Sequence, residues 1–318
     1  MDTRTLGSLD VSVVGLGCNN FGGRLDQTAT DAVVGAALDA EVTLFDTADA
    51  YGGTRSEELL GAALGKRRDQ AVVATKFGMR LGDDPATGGA SPAWVERAVT
   101  DSLRRLGTDR IDLYQLHTPD EATPIEDTLV ALDRLVQAGK VLEVGCSNFS
   151  AGQIDAAAQA SAEHGLARFV SVQNRYSLLT RDPEQGVTDA CKRHGLGILP
   201  YFPLESGMLS GKYRAGEDPP AGTRLAGMGD RGGKFRNERT VAAVERLRGY
   251  CEERGHTLLE LAFSWLLCQP TVASVIAGAT RPEQVQANVA AAGWTLTDAE
   301  LADVDHLLAD VDRQLADG

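Results

Sequence analysis

Apolar residues fall along this chain in short runs separated by longer amphipathic stretches. Eight runs have strand character: SVVGLGC (12–18), VTLFD (42–46), AVVATK (71–76), IDLYQLH (111–117), KVLEVGCS (140–147), FVSVQN (169–174), LGILPYF (196–202) and ASVIAGA (273–279). They are nearly continuous in apolar residues rather than alternating, as in a parallel sheet buried on both faces. Between them the spacing turns helical, in ATDAVVGAALDA (29–40), SEELLGAALGK (56–66), PAWVERAVTDSLRRLG (92–107), PIEDTLVALDRLVQAGK (124–140) and NERTVAAVERLRGYCEERG (237–255). Leu129, Leu132, Leu135 and Val136 recur at the i, i+3, i+4 intervals of an amphipathic helix. Strand–helix alternation with eight strands predicts an α/β fold, a (β/α)8 TIM barrel. Ahead of the first barrel strand, GSLD between two short β-like segments predicts a hairpin that caps the barrel bottom. No Pro-, Gly- or Ser-rich linker divides the chain, so residues 1–318 are expected to form a single barrel domain. Three connections are long: 79–91, 118–123 with its neighbours, and 205–236. Long connections usually serve as lids or binding loops, and the last, after the seventh strand, is expected to be a lid.

Composition narrows the function classes. The chain is 43% hydrophobic, enough for a sizeable core, and its net charge is −14. That charge argues against nucleic acid or an anionic membrane as partner. No apolar run reaches the length of a membrane span, and MDTRTLGSLD lacks the basic-then-apolar pattern of a leader, so a cytoplasmic protein is expected. Cys18, Cys146, Cys191, Cys251 and Cys268 are an odd, scattered set, read as free thiols and all five as small buried core residues. The five histidines are dispersed and no metal site is expected. GLGCNNFGG at 15–23 has the wrong spacing for a dinucleotide fingerprint.

Ionisable groups then draw attention by position. Asp46, Lys76 and His117 each end an apolar run, and Tyr51 follows in the loop after the first of these runs. In a parallel barrel the C-terminal strand ends share one mouth, so the four are expected to converge there. Taken singly, Asp46 reads as a helix cap, Tyr51 as packing with a wet tip, Lys76 as a surface cation and His117 as a structural imidazole. Together they form a proton-donating device suited to carbonyl reduction. A Lys⁺ beside a phenol favours the phenolate; at ~4 Å and an effective dielectric of ~20 the attraction is about 4 kcal/mol. That is a ceiling of about three pKa units before burial opposes it. Asp46 would hold the lysine charged, and His117 would donate to the carbonyl oxygen.

Several segments, in order, resemble the aldo-keto reductase family from the hairpin to about Asn288. They are FDTADAYGGTRSEELLGAAL (45–64), TKFG (75–78), DLYQLHTPD (112–120) and GKVLEVGCSNFS (139–150). The resemblance implies the barrel, a catalytic tetrad of Asp46, Tyr51, Lys76 and His117, and NADPH (NADP+) held across the mouth without metal. Ser147, Asn148 and Gln173, polar residues at strand ends, then correspond to those that bond the nicotinamide carboxamide, and Tyr201 to the tyrosine that stacks on its ring. Pro203, Leu204, Gly207, Leu209 and Gly211 would follow the pyrophosphate. Gly278, Thr280 and Arg281, before Pro282 at a helix start, would take the 2′-phosphate, with Gln284 and Asn288 near the adenine. The chain departs from the pattern at Phe202, Glu205 and Ala287; Glu205 near a pyrophosphate would be repulsive unless it faces away or is paired. Phe21 and Trp94 are candidate walls of the substrate pocket, for an apolar or aromatic small-molecule carbonyl compound; Trp94 reads equally as helix packing. No protein partner is identified. The alternative is an NADPH-binding regulatory or accessory subunit of the same fold, with slow or no turnover. A metal-free lyase or isomerase is a third reading, opposed by the Tyr201 and Arg281 segments.

Overall fold

The computed structural model describes residues 1–84 and 87–317; Pro85 and Ala86, in the 79–91 connection, lie outside the described residues. Two antiparallel strands open the chain, β1 (Thr3–Leu6) and β2 (Leu9–Ser12). They turn through Gly7 at φ +63°, a left-handed backbone that favours glycine. There follow β3 (Val14–Gly17), α1 (Gln27–Asp39), β4 (Leu44–Asp46), α2 (Arg55–Leu64), β5 (Val72–Phe77), α3 (Pro92–Leu106), β6 (Ile111–Leu116) and α4 (Ile125–Gln137). Next come β7 (Val141–Ser147), α5 (Ala151–His164), β8 (Phe169–Gln173), α6 (Val187–His194), β9 (Gly197–Ile198), α7 (Glu238–Glu253) and α8 (Leu258–Leu267). The chain ends with β10 (Val275–Gly278), α9 (Pro282–Ala290) and α10 (Asp298–Asp317).

Strands β3 to β10 are parallel neighbours in the order β10-β3-β4-β5-β6-β7-β8-β9. A bridge between Ile198 and Val272 joins the last strand to the approach to β10, with Ile198 N–H donating to Thr271 O at 2.6 Å and Ala273 N–H to Ile198 O at 2.8 Å. The ring of parallel pairing is thereby closed, and each of the eight expected strands forms. Backbone bonds to β8 continue past the short β9, from Leu199 N–H to Val172 O at 2.9 Å and from Tyr201 N–H to Asn174 O at 3.1 Å, while Pro200, having no N–H, cannot donate on the opposite side. The hairpin seats its apolar side on the barrel: Leu6, Leu9 and Val11 pack with Leu44, Ala74, Leu113, Val170, Leu199, Ala273 and Ile276. Burying each such Leu or Val contributes about 1.5–3 kcal/mol. Gly197 lets Leu6 in, since a Cβ there would stand 2.4 Å from the Leu6 Cδ1. Helix starts follow their caps: Ser91 before Pro92 accepts from Trp94 N–H at 3.4 Å, and Ser150 with Gln153 forms a capping box.

Residues 1–175, 182–201 and 271–289 form this first compact unit. Residues 176–181, 202–270 and those from 290 onward form a second, built on α7, α8 and α10. In it the 205–236 connection, expected as a structureless lid, contains two stretches of 3-10 helix (Glu205–Ser210 and Ala226–Phe235) and buries Met208, Leu209, Tyr213, Leu225 and Phe235. Arg248 fastens it, donating to Gly211 O at 3.0 Å and Tyr213 O at 2.7 Å. An Arg with two backbone acceptors supplies the order that apolar periodicity does not.

Candidate active site

Side-chain alternation along the strands builds the site. Leu44, Ala74 and Leu113 point into the apolar cluster, so two residues further on Asp46, Lys76 and Gln115 share that inward side, nearer the strand ends. Lys76 is fully buried, and its Nζ donates to Asp46 Oδ1 (2.7 Å), Asp46 Oδ2 (2.8 Å) and Thr47 O (2.8 Å). The buried cation thus has a carboxylate and a carbonyl as acceptors, the partners that burial of a charge requires. Tyr51 is brought over this pair by the loop after β4. Thr47 N–H bonds Ala74 O (2.8 Å), Asp49 N–H bonds Lys76 O (3.1 Å), and the Thr47 and Ser56 hydroxyls meet at 2.8 Å. Lys76 Nζ lies 5.1 Å from the centroid of the Tyr51 ring. His117, just past β6, meets the same ring edge-on at 5.8 Å between centroids. The four side chains therefore converge at one strand-end face.

The electrostatics differ in one respect from expectation. Burial raises the Tyr51 phenol pKa above its ordinary value; Lys76 pulls it down by charge and hydrogen bonding but does not prevail, and Asp46 adds to the rise. Desolvation is the stronger partner because the ammonium's field is already shared with two carboxylate oxygens. Lys76 itself is raised: burial opposes its charge, but Asp46 and Tyr51 outweigh it. His117 is pushed down to about 3 by burial and by the Lys76 charge, so the imidazole is neutral near neutral pH. Its Nδ1 is buried with no hydrogen-bond partner among the described residues.

The polar residues at the next strand ends form a chain leading back to the pair. Tyr201 OH donates to Asn148 Oδ1 at 2.8 Å. Asn148 Nδ2 donates to His117 O (2.9 Å) and to Ser147 Oγ (3.1 Å), and Ser147 Oγ donates to Gln173 O at 2.7 Å. Gln173 Nε2 donates to Asp46 Oδ1 at 2.8 Å. Four of the expected cofactor residues are thus in one network with the Asp46 carboxylate. Gly278 ends β10, and beyond it Thr280 and Arg281 precede α9 as expected. Gln284 Oε1 accepts from both Thr280 N–H (2.7 Å) and Thr280 Oγ (3.1 Å), so Thr280 and Gln284 satisfy each other; Arg281 is exposed and Asn288 buried.

Pro203, Leu204, Gly207, Leu209 and Gly211 belong to the second unit. There the buried Glu205 accepts from the Ser177 hydroxyl at 2.7 Å, which gives its carboxylate a partner. Phe21 is fully buried; its backbone oxygen backs the Tyr51 loop so closely that a Cβ on Gly52 would stand 2.4 Å from it. Trp94 is 7% exposed and its Nε1 has no partner among the described residues. Neither residue presents open surface in this structure. All five cysteines are free, four of them buried.

A family model described as Aldo/keto reductase family matches residues 13–309. The chain belongs to that family. It is 34% identical to Aldo-keto reductase YhdN of Bacillus subtilis over 307 residues, covering 94% of this chain and 91% of that protein. It is 32% identical to L-glyceraldehyde 3-phosphate reductase of Escherichia coli (strain K12), covering 92% and 87%. It is also 33% identical to a probable voltage-gated potassium channel subunit beta of Arabidopsis thaliana, covering 92% and 91%. Membership and the reductase relatives support an oxidoreductase acting on carbonyl groups. Among the described residues of this aldo/keto reductase no group of three or more His, Cys, Asp or Glu could hold a metal ion, and no helix is long and apolar enough to cross a membrane.

Sequence reasoning missed the residues behind the tetrad: Thr47, Asp49, Ser56, Glu57 and Arg105. Glu57, fully buried, accepts from Thr75 Oγ (2.6 Å) and Arg105 Nε (2.6 Å). The available signal was a second and a third carboxyl within the twelve-residue span from Asp46 to Glu57, too many for one lysine to balance.

Proposed function

We propose that this aldo/keto reductase reduces an aldehyde or ketone with NADPH, with Tyr51 as the general acid. The observation that carries the reading is the fully buried Lys76, held by both oxygens of Asp46 and lying under the Tyr51 ring. A cation locked there favours the phenolate that proton donation leaves behind, so it stabilises the charge as it develops. The raised phenol pKa of the cofactor-free protein keeps Tyr51 protonated and ready to donate. His117 is neutral and carries one N–H; with no acceptor at Nδ1, that hydrogen belongs on Nε2, where it would orient the carbonyl oxygen.

The residues at the neighbouring strand ends suit a nicotinamide. Gln173 spends its N–H on Asp46 and retains an amide oxygen for a carboxamide N–H. The Tyr201 ring, its hydroxyl tied to Asn148, offers a stacking face. Arg281 at the start of α9 is a donor for a 2′-phosphate, while Thr280, already bonded to Gln284, contributes less unless that pair opens. When bound, NADPH supplies the hydride. Met79, 43% exposed and two residues past the end of β5, is an apolar wall for the substrate.

The test is NADPH consumption with a reactive aromatic aldehyde, for the native chain and Tyr51→Phe. Loss of turnover by about a hundredfold or more in the variant, with NADPH affinity retained, supports the assignment. Undiminished turnover in Tyr51→Phe overturns it. The second reading, an accessory subunit, is favoured by the relatives named as potassium channel subunits beta. It predicts NADPH binding without appreciable turnover of any aldehyde.

A further inference from the structure

Outside the barrel wall, on the side of β5 opposite Lys76, a closed group of polar side chains has no place in the chemistry above. Glu57 of α2 takes the Thr75 hydroxyl on one oxygen and Arg105 of α3 on the other, both at 2.6 Å. Arg105 also reaches Ser102 Oγ at 3.2 Å. Asp49 is fully buried in the same place, and beyond a weak contact with the adjoining Ala50 amide neither of its carboxyl oxygens has a hydrogen-bond partner among the described residues. The hydroxyl of the fully buried Tyr114, on β6, is likewise without one. One guanidinium thus serves two carboxyls, and Glu57 takes its bond. A second bare carboxylate in that space would be a buried, unpaired charge, which proteins avoid by keeping the group neutral.

Asp49 is also placed to matter. Its own N–H bonds the carbonyl of Lys76 at 3.1 Å, and two residues on Tyr51 N–H bonds Ala48 O at 3.1 Å. The Asp49 carboxyl, the lysine strand and the phenol therefore share one short length of backbone. We infer that Asp49 is a positioning residue: carrying a proton, it lets the 47–54 loop lie against β5 with Tyr51 over Lys76, and its ionisation withdraws that support.

The charged and titratable groups that face Asp49 agree with this. Burial pushes its carboxyl up to about 7, Glu57 adds to the rise, and Arg105, the Ala50 amide and Lys76 oppose it. Tyr114 is raised by burial, then by Asp49, Glu57 and Asp101 against Arg105. The perturbed tetrad members titrate elsewhere: His117 is held to about 3, and Tyr51 and Lys76 lie above their ordinary values. A loop transition near neutral pH would therefore point to Asp49. The inference rests on Tyr51 being the acid, but its test does not.

The experiment uses the full, cofactor-free chain and Asp49→Asn, which keeps the shape and cannot ionise. Hydrogen exchange of the 47–54 amides, corrected for intrinsic rate, is followed from about pH 5 to about pH 8, together with thermal melts. The native chain should lose protection of this loop by about tenfold or more as pH passes the Asp49 transition, and Asp49→Asn should not. The melting midpoint of the variant relative to native should climb over the same range. Glu57→Gln, which frees Arg105 for Asp49, should move the native transition to lower pH and serves if Asp49→Asn fails to fold. Loop protection that changes identically in native and Asn proteins, or that never changes while the melts do, overturns the positioning role. Reductase turnover is read separately: its absence would sink the assignment of Tyr51 and leave the loop result standing.

Discussion

Replacing His117 by Gln should uncover a pH dependence of stability that the native protein conceals. Two buried groups titrate in opposite senses. His117 is held neutral, its pKa moved from 6.5 to about 3. The folded chain therefore binds one proton fewer than the unfolded chain between those values, so stability rises with pH across that window and is lost as pH falls. Asp49 is held protonated, its pKa moved from 3.8 to about 7. There the folded chain binds one proton more, and stability falls as pH rises through that window. At 1.36 kcal/mol per pH unit the two effects have ceilings of about 5 and about 4 kcal/mol. Where the windows overlap, from near pH 4 to near 6.5, the slopes cancel. His117→Gln removes one of them, so relative to native the variant should lose about 1 kcal/mol of stability for each pH unit gained across the overlap. Asp49→Asn should do the reverse, and the double variant should run parallel to native. The assay is urea unfolding of cofactor-free protein at a series of pH values, read as the difference from native so that all other groups drop out. A His117→Gln curve parallel to native throughout would refute the reasoning, since it would mean that His117 titrates alike in the folded and unfolded chain.

Three further outcomes are expected. Lys76→Met strips Asp46 of both ammonium contacts and leaves it, among the described residues, the Gln173 amide; urea melts should show a loss of about 3–5 kcal/mol, much of it recovered when Asp46→Leu is added, because the buried charge is then gone. Gln173→Leu should weaken NADPH in fluorescence titration and also lower kcat at saturating cofactor, since the amide serves Asp46 as well; an effect on affinity alone would dismiss the second role. Arg281→Ala should weaken NADPH by about tenfold to a hundredfold and leave NADH nearly unchanged, in line with the loss of a hydrogen-bonded charge pair at an exposed phosphate.

The sequence made some links of this chain plain and hid others, for reasons that lie in range. VTLFD, AVVATK and IDLYQLH announced buried strands with an ionisable group at each end because both signals are local, and β4, β5 and β6 form there. The hairpin was readable from GSLD, but that Leu6 would fill the space over Gly197 was not, being a contact between residues nearly two hundred apart. Gln173 on Asp46 spans 127 positions and is fixed by strand order around the barrel, which no local pattern encodes. Glu57 and Arg105 meet because α2 and α3 approach so closely at Gly61 that a Cβ there would stand 2.2 Å from Leu106 O. Even the Tyr51 balance was misjudged for the same reason. A neighbouring lysine is visible in the sequence, whereas the burial that outweighs it is a property of everything packed around the phenol. The chemistry-bearing residue types were therefore legible one by one, while the protonation state of each, on which the reaction depends, belongs to the assembled fold.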